Sequence, residues 1–252
     1  MSGHSKFANI KHRKDRQDLK RGKEFGKAVR KIEAAARESG TSDPDMSAPL
    51  ALAVQKAKDI SVPKDNIDRA LKRGAGELDD GVAYDSGTYE GYAAGGVAVL
   101  VDILTDNRNR TAADVRSAFT KLGGNLAEPG AVAFMFSRRG QVIVKGTGLD
   151  EDELMMAGLD AGLDSIEEQD TVTICWCEPK DENALRAAIE EGGFRVAESG
   201  STMVASVMIP VTEEGTARNI LKLLDALEDN DDVQEVFTNA DFDDELLENL
   251  DI

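Results

Sequence analysis

The sequence predicts a mixed fold of helices and sheets, α+β or α/β, that opens with a helical region. Two observations carry the prediction. Apolar residues recur at helical spacing through roughly the first seventy residues. From Gly96 onward, apolar runs of about five to eight residues alternate with helical patterns of about ten to fifteen. At 252 residues the chain is long enough for two or three domains. The stretch from 132 to 206 contains a complete set of strands and two helices, whereas the pieces on either side each contain part of a sheet. That order allows one domain to be inserted in another without demanding it.

Residues 1 to 37 form the first element. Between Met1 and Lys31 there are eleven Lys and Arg against three Asp and Glu, a net charge of +8 in a chain of net charge −18. Placed on a helix, Val29, Ile32 and Ala36 fall within about 40° of Phe25, and Arg16, Lys20, Lys23, Lys27 and Arg30 lie on the opposite side. The pattern predicts a helix with an apolar seam for partner helices and a cation stripe facing outward. A helix built for solubility interleaves acids and bases at i, i+4, whereas this stripe carries no acid. Gly22 and Gly26 weaken the helix by about 1 kcal/mol each relative to Ala; relief of packing and close approach of a phosphate backbone both fit.

GTSDPDMSAP reads as a loop. A second helix is predicted from about Pro49 to Asp59 on Leu50, Val54 and Ala57. Pro63 opens a third, with Ile67 and Leu71 on one face and Gly74 as its terminator. Residues 1–73 hold eighteen basic against ten acidic side chains, and the basic character ends there. GAGELDDGVAYDSG reads as a linker. VAVLVDIL is a predicted strand, TDNRNRT a turn, and TAADVRSAFTKLGG a helix that Thr111 and Asp114 would cap. AFMF and QVIVKG are predicted strands joined by Ser-Arg-Arg-Gly as a hairpin turn. A helix at Asp150–Gly162, strands at Asp164–Glu168 and Thr171–Cys177, a helix at Asp181–Gly192 and a strand at Phe194–Ala197 follow. ASVMIPV, a helix through Leu221, Leu224 and Leu227, and VQEVFTN complete the series.

Composition narrows the function classes. A hydrophobic content of 41% is that of a globular protein. No apolar run is long enough to span a bilayer, and the N-terminus lacks the apolar stretch of a secretory signal. Asp15, Asp18 and Glu24 in the basic region argue against a transit peptide, so a cytoplasmic location without membrane association is expected. The two cysteines, Cys175 and Cys177, have no further partners for a zinc site and read as reduced thiols. No nucleophile with a base at motif spacing and no nucleotide-binding loop is apparent, which predicts a non-enzyme without cofactor or metal. Glu90 and Asp106 read as hydrogen-bonding supports for loops.

The segments GHSKFANIKHRK, PKDNIDRALKRGAGE, YEGYAAGGVAVLVDILTDNRNRT and LGGNLAEPGAVAFMF together resemble the YebC/PmpR family of bacterial regulators, whose mitochondrial relatives are translational activators of cytochrome oxidase. The resemblance covers nearly the whole chain. It implies an N-terminal three-helix domain followed by two α+β domains, one inserted in the other, with boundaries at 1–78, 79–131 plus 207–252, and 132–206. Phe7 stands where the family often has Trp, which keeps a ring and removes an indole donor. Ala94 stands where it often has Pro.

The resemblance also implies a regulator that binds nucleic acid, labelled in the family as a transcriptional regulator that binds DNA. A second line within the family points to the ribosome and to peptides that are hard to synthesise, such as proline runs. No helix-turn-helix or other base-reading pattern accompanies the basic helix, and its Lys-rich stripe suits phosphate more than base edges. The candidate nucleic-acid residues are Lys6, Phe7, Asn9, Lys11, His12, Arg13, Lys14, Arg16, Lys20, Lys23, Lys27 and Arg30. Phe7 or His12 could stack on an unpaired base. Arg108 and Arg110, in the turn before a helix, are candidates for an anion site; pairing with the protein's own acids fits them equally. The partner is expected to be DNA or ribosomal RNA, with the ribosome as a candidate assembly. The acidic DALEDNDDVQEV and FDDELLENLDI would repel a polyanion and leave the N-terminal region to approach it.

Overall fold

The computed structural model describes residues 17–78, 81–146, 148–169, 171–243, 246–247 and 250, with the backbone alone for 17–21. It is an α+β structure. The described residues from 136 to 206 make one compact unit, and those before and after them make another.

The second unit begins with α1 (Gln17–Ser39), α2 (Ala48–Asp59) and α3 (Lys64–Gly74). The predicted seam is the core of this trio. Ile32 and Ala36 are fully buried with Leu50, Val54, Ala57, Ile67 and Leu71, while Phe25 and Val29 pack against them. Ser47 caps α2 by accepting the Leu50 N–H, and Pro63 stands immediately before α3. Gly74 has a different role from the terminator expected of it. A Cβ there would lie 2.4 Å from the Glu33 carbonyl oxygen and 2.7 Å from the Ala36 Cβ, so its bare Cα is what lets α3 close on α1.

The same unit continues into a sheet of strand order β3-β1-β2-β9, all antiparallel. Its strands are β1 (Asp85–Tyr92), β2 (Ala98–Thr105), β3 (Asn125–Leu126) and β9 (Val233–Thr238). Helices α4 (Arg108–Lys121) and α7 (Glu214–Glu228) cover it, with Val99, Val101 and Ile103 packed among Val115, Phe119, Ile220 and Leu224. Short strands β8 (Ile209–Val211) and β10 (Ala240–Phe242) pair in parallel beside it. Part of β1 lies in the stretch expected to be linker. Its DSGTYEGY carries glycines and acids that strands disfavour, and pairing along its whole length with β2, joined by β3 at Gly91 and Tyr92, overrides that preference. Asn107, not Thr111, caps α4, its side chain accepting the Arg110 N–H.

In the other unit the order is β5-β6-β4-β7, formed by β4 (Phe136–Lys145), β5 (Ser165–Glu168), β6 (Val172–Cys177) and β7 (Val196–Ala205). Helices α5 (Glu151–Gly158) and α6 (Glu182–Glu191) supply Leu154, Leu185 and Ile189 to its core. The expected hairpin at Ser-Arg-Arg-Gly is absent: β4 runs straight through it, Arg138 opposite Met203 and Arg139 opposite Thr202. Gly140 serves close packing instead of a turn, because a Cβ there would meet the Cys177 Sγ at 2.6 Å. ASVMIPV is not one strand: β7 ends at Ala205 and β8 starts at Ile209. Cys175 and Cys177 are both free and buried. Burial first, then the neighbouring thiol, pushes Cys175 up to about 12; burial followed by nearby acids pushes Cys177 up to about 11. Neither is a reactive thiolate near neutrality.

The described residues hold three apolar clusters, one in the helices and one under each larger sheet; the division at 1–78, 79–131 plus 207–252, and 132–206 is a proposal. Gly74→Ala should lose about 1–3 kcal/mol to overpacking. Gly22→Ala, where a Cβ meets nothing within 4 Å, should gain up to about 1 kcal/mol from helix propensity. Urea denaturation of the two variants checks both signs.

Candidate nucleic-acid interface

The outward stripe on α1 is not bare. Beyond α7 the chain returns to β9 through Asp229–Asp232, and this acidic connection lies along the cations. The Lys23 ammonium donates to the Asp229 carboxylate at 3.0 Å and to its carbonyl at 3.1 Å. Lys27 donates to the Glu228 carbonyl at 2.7 Å. Arg30 reaches the Asp231 carbonyl at 2.5 Å and the Asp232 carboxylate at 3.3 Å. Lys31, off the predicted stripe, pairs with Glu235 at 2.7 Å. The acidic run expected to repel a polyanion thus itself lies against part of the basic stripe. Coulomb attraction between opposite charges at this range accounts for the contact.

Asp232 is the fixed point of the contact. Its side chain is 7% exposed and receives Arg110 at 2.7 Å, the Thr111 hydroxyl at 2.8 Å and the Thr105 hydroxyl at 3.1 Å. Burial by itself would raise its pKa. Hydrogen bonds from Arg110, Thr111 and Thr105 outweigh burial and hold the carboxyl below the usual carboxylate range. Asp232 stands at the first turn of α4, the end of a helix that favours an anion. The anion site anticipated there is thus occupied by the protein's own carboxylate. The Asp232 and Asp106 hydrogen bonds in turn raise the pKa of Arg110.

Arg108 also has internal partners: it donates to the Ser86 carbonyl at 2.7 Å and lies 3.7 Å from Asp85. Of the two alternatives for Arg108 and Arg110, the structure displays pairing with the protein's own acceptors. Glu90 has the supporting role expected of it. It is buried and accepts the N–H groups of Gly130, Val132 and Ala133 at 2.6, 2.7 and 2.8 Å. Although burial opposes it, these donors keep its carboxyl ionised at lower pH than usual, and they hold the loop before β4 on the edge of β1. At Gly22 and Gly26 a Cβ would meet nothing within 4 Å, which removes packing relief among the described residues as their reason.

Lys6, Phe7, Asn9, Lys11, His12, Arg13, Lys14 and Arg16 lie outside the described residues, and of Lys20 only the backbone is described. Reasoning from sequence missed Asp229, Asp232, Glu235 and Lys31. The acidic run after α7 was visible as the charge complement of the stripe, but nothing local indicated that the two would meet. Among the described residues no group of three or more His, Cys, Asp or Glu could hold a metal, and no helix is long and apolar enough to cross a membrane.

A basic helical region joined to α+β domains is the organisation of a known class of regulatory proteins. The profile described as the TACO1/YebC protein N-terminal domain matches residues 5–77, and that of the TACO1/YebC second and third domain matches residues 84–240. A relative from Halothermothrix orenii is 49% identical over 252 residues, covering 99% of both chains. One from Corynebacterium glutamicum is 50% identical over 250 residues with the same coverage. Both are named as probable transcriptional regulatory proteins. The crystal structure of a conserved hypothetical protein from Aquifex aeolicus superposes with a TM-score of 0.83 at 39% identity, covering 94% of this chain and 97% of that one. The chain belongs to the TACO1/YebC family.

Asp232 has a lower pKa in the fold than in the unfolded chain, so its stabilisation is complete above about pH 4 and lost as pH falls through the folded value. Asp232→Asn should therefore lose roughly 2–3 kcal/mol at neutral pH. Its deficit relative to the parent should shrink below about pH 4. Denaturation midpoints measured across that range check the sign.

Proposed function

We propose that the protein is a non-enzymatic, cytoplasmic regulator of gene expression that binds nucleic acid through its basic N-terminal region, as the names of its relatives suggest for transcription. The observation that carries this reading is the confinement of positive charge: eighteen basic against ten acidic residues in 1–73, within a chain of net charge −18. Lys6, Lys11, Arg13, Lys14, Arg16 and Lys20 are the proposed phosphate contacts, with Lys23, Lys27 and Arg30 further along the same basic stretch of sequence. Remote acids do not oppose such binding strongly, because salt screens them beyond about 10 Å.

A second reading, association with ribosomal RNA in support of difficult peptides, is favoured by one feature. The stripe is chiefly Lys, which serves phosphate without reading bases, and Phe7 and His12 add stacking surfaces suited to unpaired nucleotides. Under either reading, binding weakens steeply with salt.

Replacing Lys6, Lys11, Arg13 and Lys14 together by Glu should weaken nucleic-acid binding at least about tenfold and flatten its dependence on salt. Fluorescence anisotropy with labelled duplex DNA and labelled single-stranded RNA measures both quantities. Unchanged affinity for both probes would remove the arm from the site. Sedimentation with ribosomes at low and high salt separates the readings: salt-sensitive co-sedimentation favours the second, and selective duplex binding at physiological salt favours the first.

A further inference from the structure

We propose that the acidic connection from Glu228 to Glu235 is an internal competitor for nucleic acid, a latch that covers the cation face of α1 and must be displaced before that face can contact phosphate. The inference rests on the nucleic-acid reading of the N-terminal region and adds its regulation. Lys23, Lys27, Arg30 and Lys31 extend over about 12 Å of helix at 1.5 Å per residue. Their acceptors lie in one short segment: Asp229 for Lys23, Glu228 for Lys27, Asp231 and Asp232 for Arg30, and Glu235 for Lys31. Carboxylates interspersed with carbonyl oxygens along a row of cations reproduce the acceptor pattern of a phosphodiester backbone, so the two would compete for the same donors.

The contact is built to release. Lys23 and Asp229 are 41% and 66% exposed, and Lys31 and Glu235 are also partly exposed. Ion pairs of this kind are individually weak and screened by salt. The one buried acid in the set, Asp232, does not depend on α1. When Arg30 leaves, Asp232 keeps Arg110, Thr105 and Thr111, so no buried charge is left unpaired, which is the outcome that makes breaking an internal ion pair expensive. The latch contacts on α1 are made by charged side chains and carbonyl oxygens, not by members of either apolar cluster. A cavity of about 520 Å³, lined by Lys23, Arg30, Arg110 and the Asp229–Asp232 segment, already lies open along this contact. The latch also explains why an acidic run persists beside a surface that must meet a polyanion: it discriminates against weak, isolated anions and yields to a ligand that engages many cations at once.

The test uses the full chain carrying Asp229→Asn and Glu235→Gln, beside a control with the same charge removed elsewhere, Glu151→Gln with Asp152→Asn. Affinities for a mixed-sequence single-stranded RNA and for duplex DNA are measured at low salt, with thermal denaturation to confirm folding. The latch predicts about tenfold tighter binding for the first variant and a clearly smaller change for the control. Equal changes in the two variants would mean general electrostatics and overturn the latch. Loss of binding in the first variant with its fold intact would overturn it as well, by making the segment part of the binding surface. If parent and both variants fail to bind either probe, the nucleic-acid reading falls and the latch falls with it. If the first variant unfolds, Asp229→Asn alone, at a side chain 66% exposed, gives the same comparison against Glu151→Gln alone.

Discussion

The Asp232 carboxylate holds together the region where the basic helix meets the acidic connection before β9. It lies between β2, α4 and α1, and each contributes a donor: Thr105, Arg110 with Thr111, and Arg30. A buried carboxylate is tolerated only when its hydrogen-bonding capacity is met, and here the first three donors are sufficient. Because they fix the end of the α7–β9 connection, the acids and carbonyls preceding Asp232 are delivered to the cation stripe of α1. The position of the latch thus follows from the satisfaction of one buried charge.

The sheet architecture serves the same placement. Glu90 fixes the loop that leads into the second sheet by accepting three backbone N–H groups, and Asn239 accepts the Ala98 N–H at 2.8 Å, tying the chain beyond β9 to the start of β2. Both anchors lie at the Tyr92/Ala98 end of the central strands, and Asp232, bonded to Thr105, secures the opposite end, where the acidic connection gives way to β9. The contacts between that connection and α1 differ in kind, being mostly exposed, ionic and salt-sensitive. A rigid acidic edge facing a basic helix across weak pairs is an arrangement that a polyanion can open.

Periodicity made much of the fold legible. The seam of Phe25, Val29, Ile32 and Ala36 and the series Leu50, Val54 and Ala57 lie in the helical core as spacing predicts, because burial of an apolar face is what a helix pattern encodes. What periodicity missed arises from tertiary contact. β1 defies local propensity and exists through its two neighbours, and Ser-Arg-Arg-Gly resembles a turn until the position of Cys177 shows what Gly140 accommodates. The candidate site was half legible. Its cations announce themselves by composition, whereas their acceptors lie about two hundred residues further along the chain, a separation across which sequence pattern carries no information on pairing.

Zero-length carbodiimide coupling, which joins a carboxylate to an amine only where they touch, is the most direct measurement of the central claim. In the free protein Lys23 should couple to Asp229 and Lys31 to Glu235, as the 3.0 and 2.7 Å contacts require. On saturation with single-stranded RNA or duplex DNA, both products should fall together in mass spectra, while coupling elsewhere in the chain is unchanged. Full retention of both products in protein shown to be saturated with nucleic acid would contradict competition between the acidic segment and phosphate.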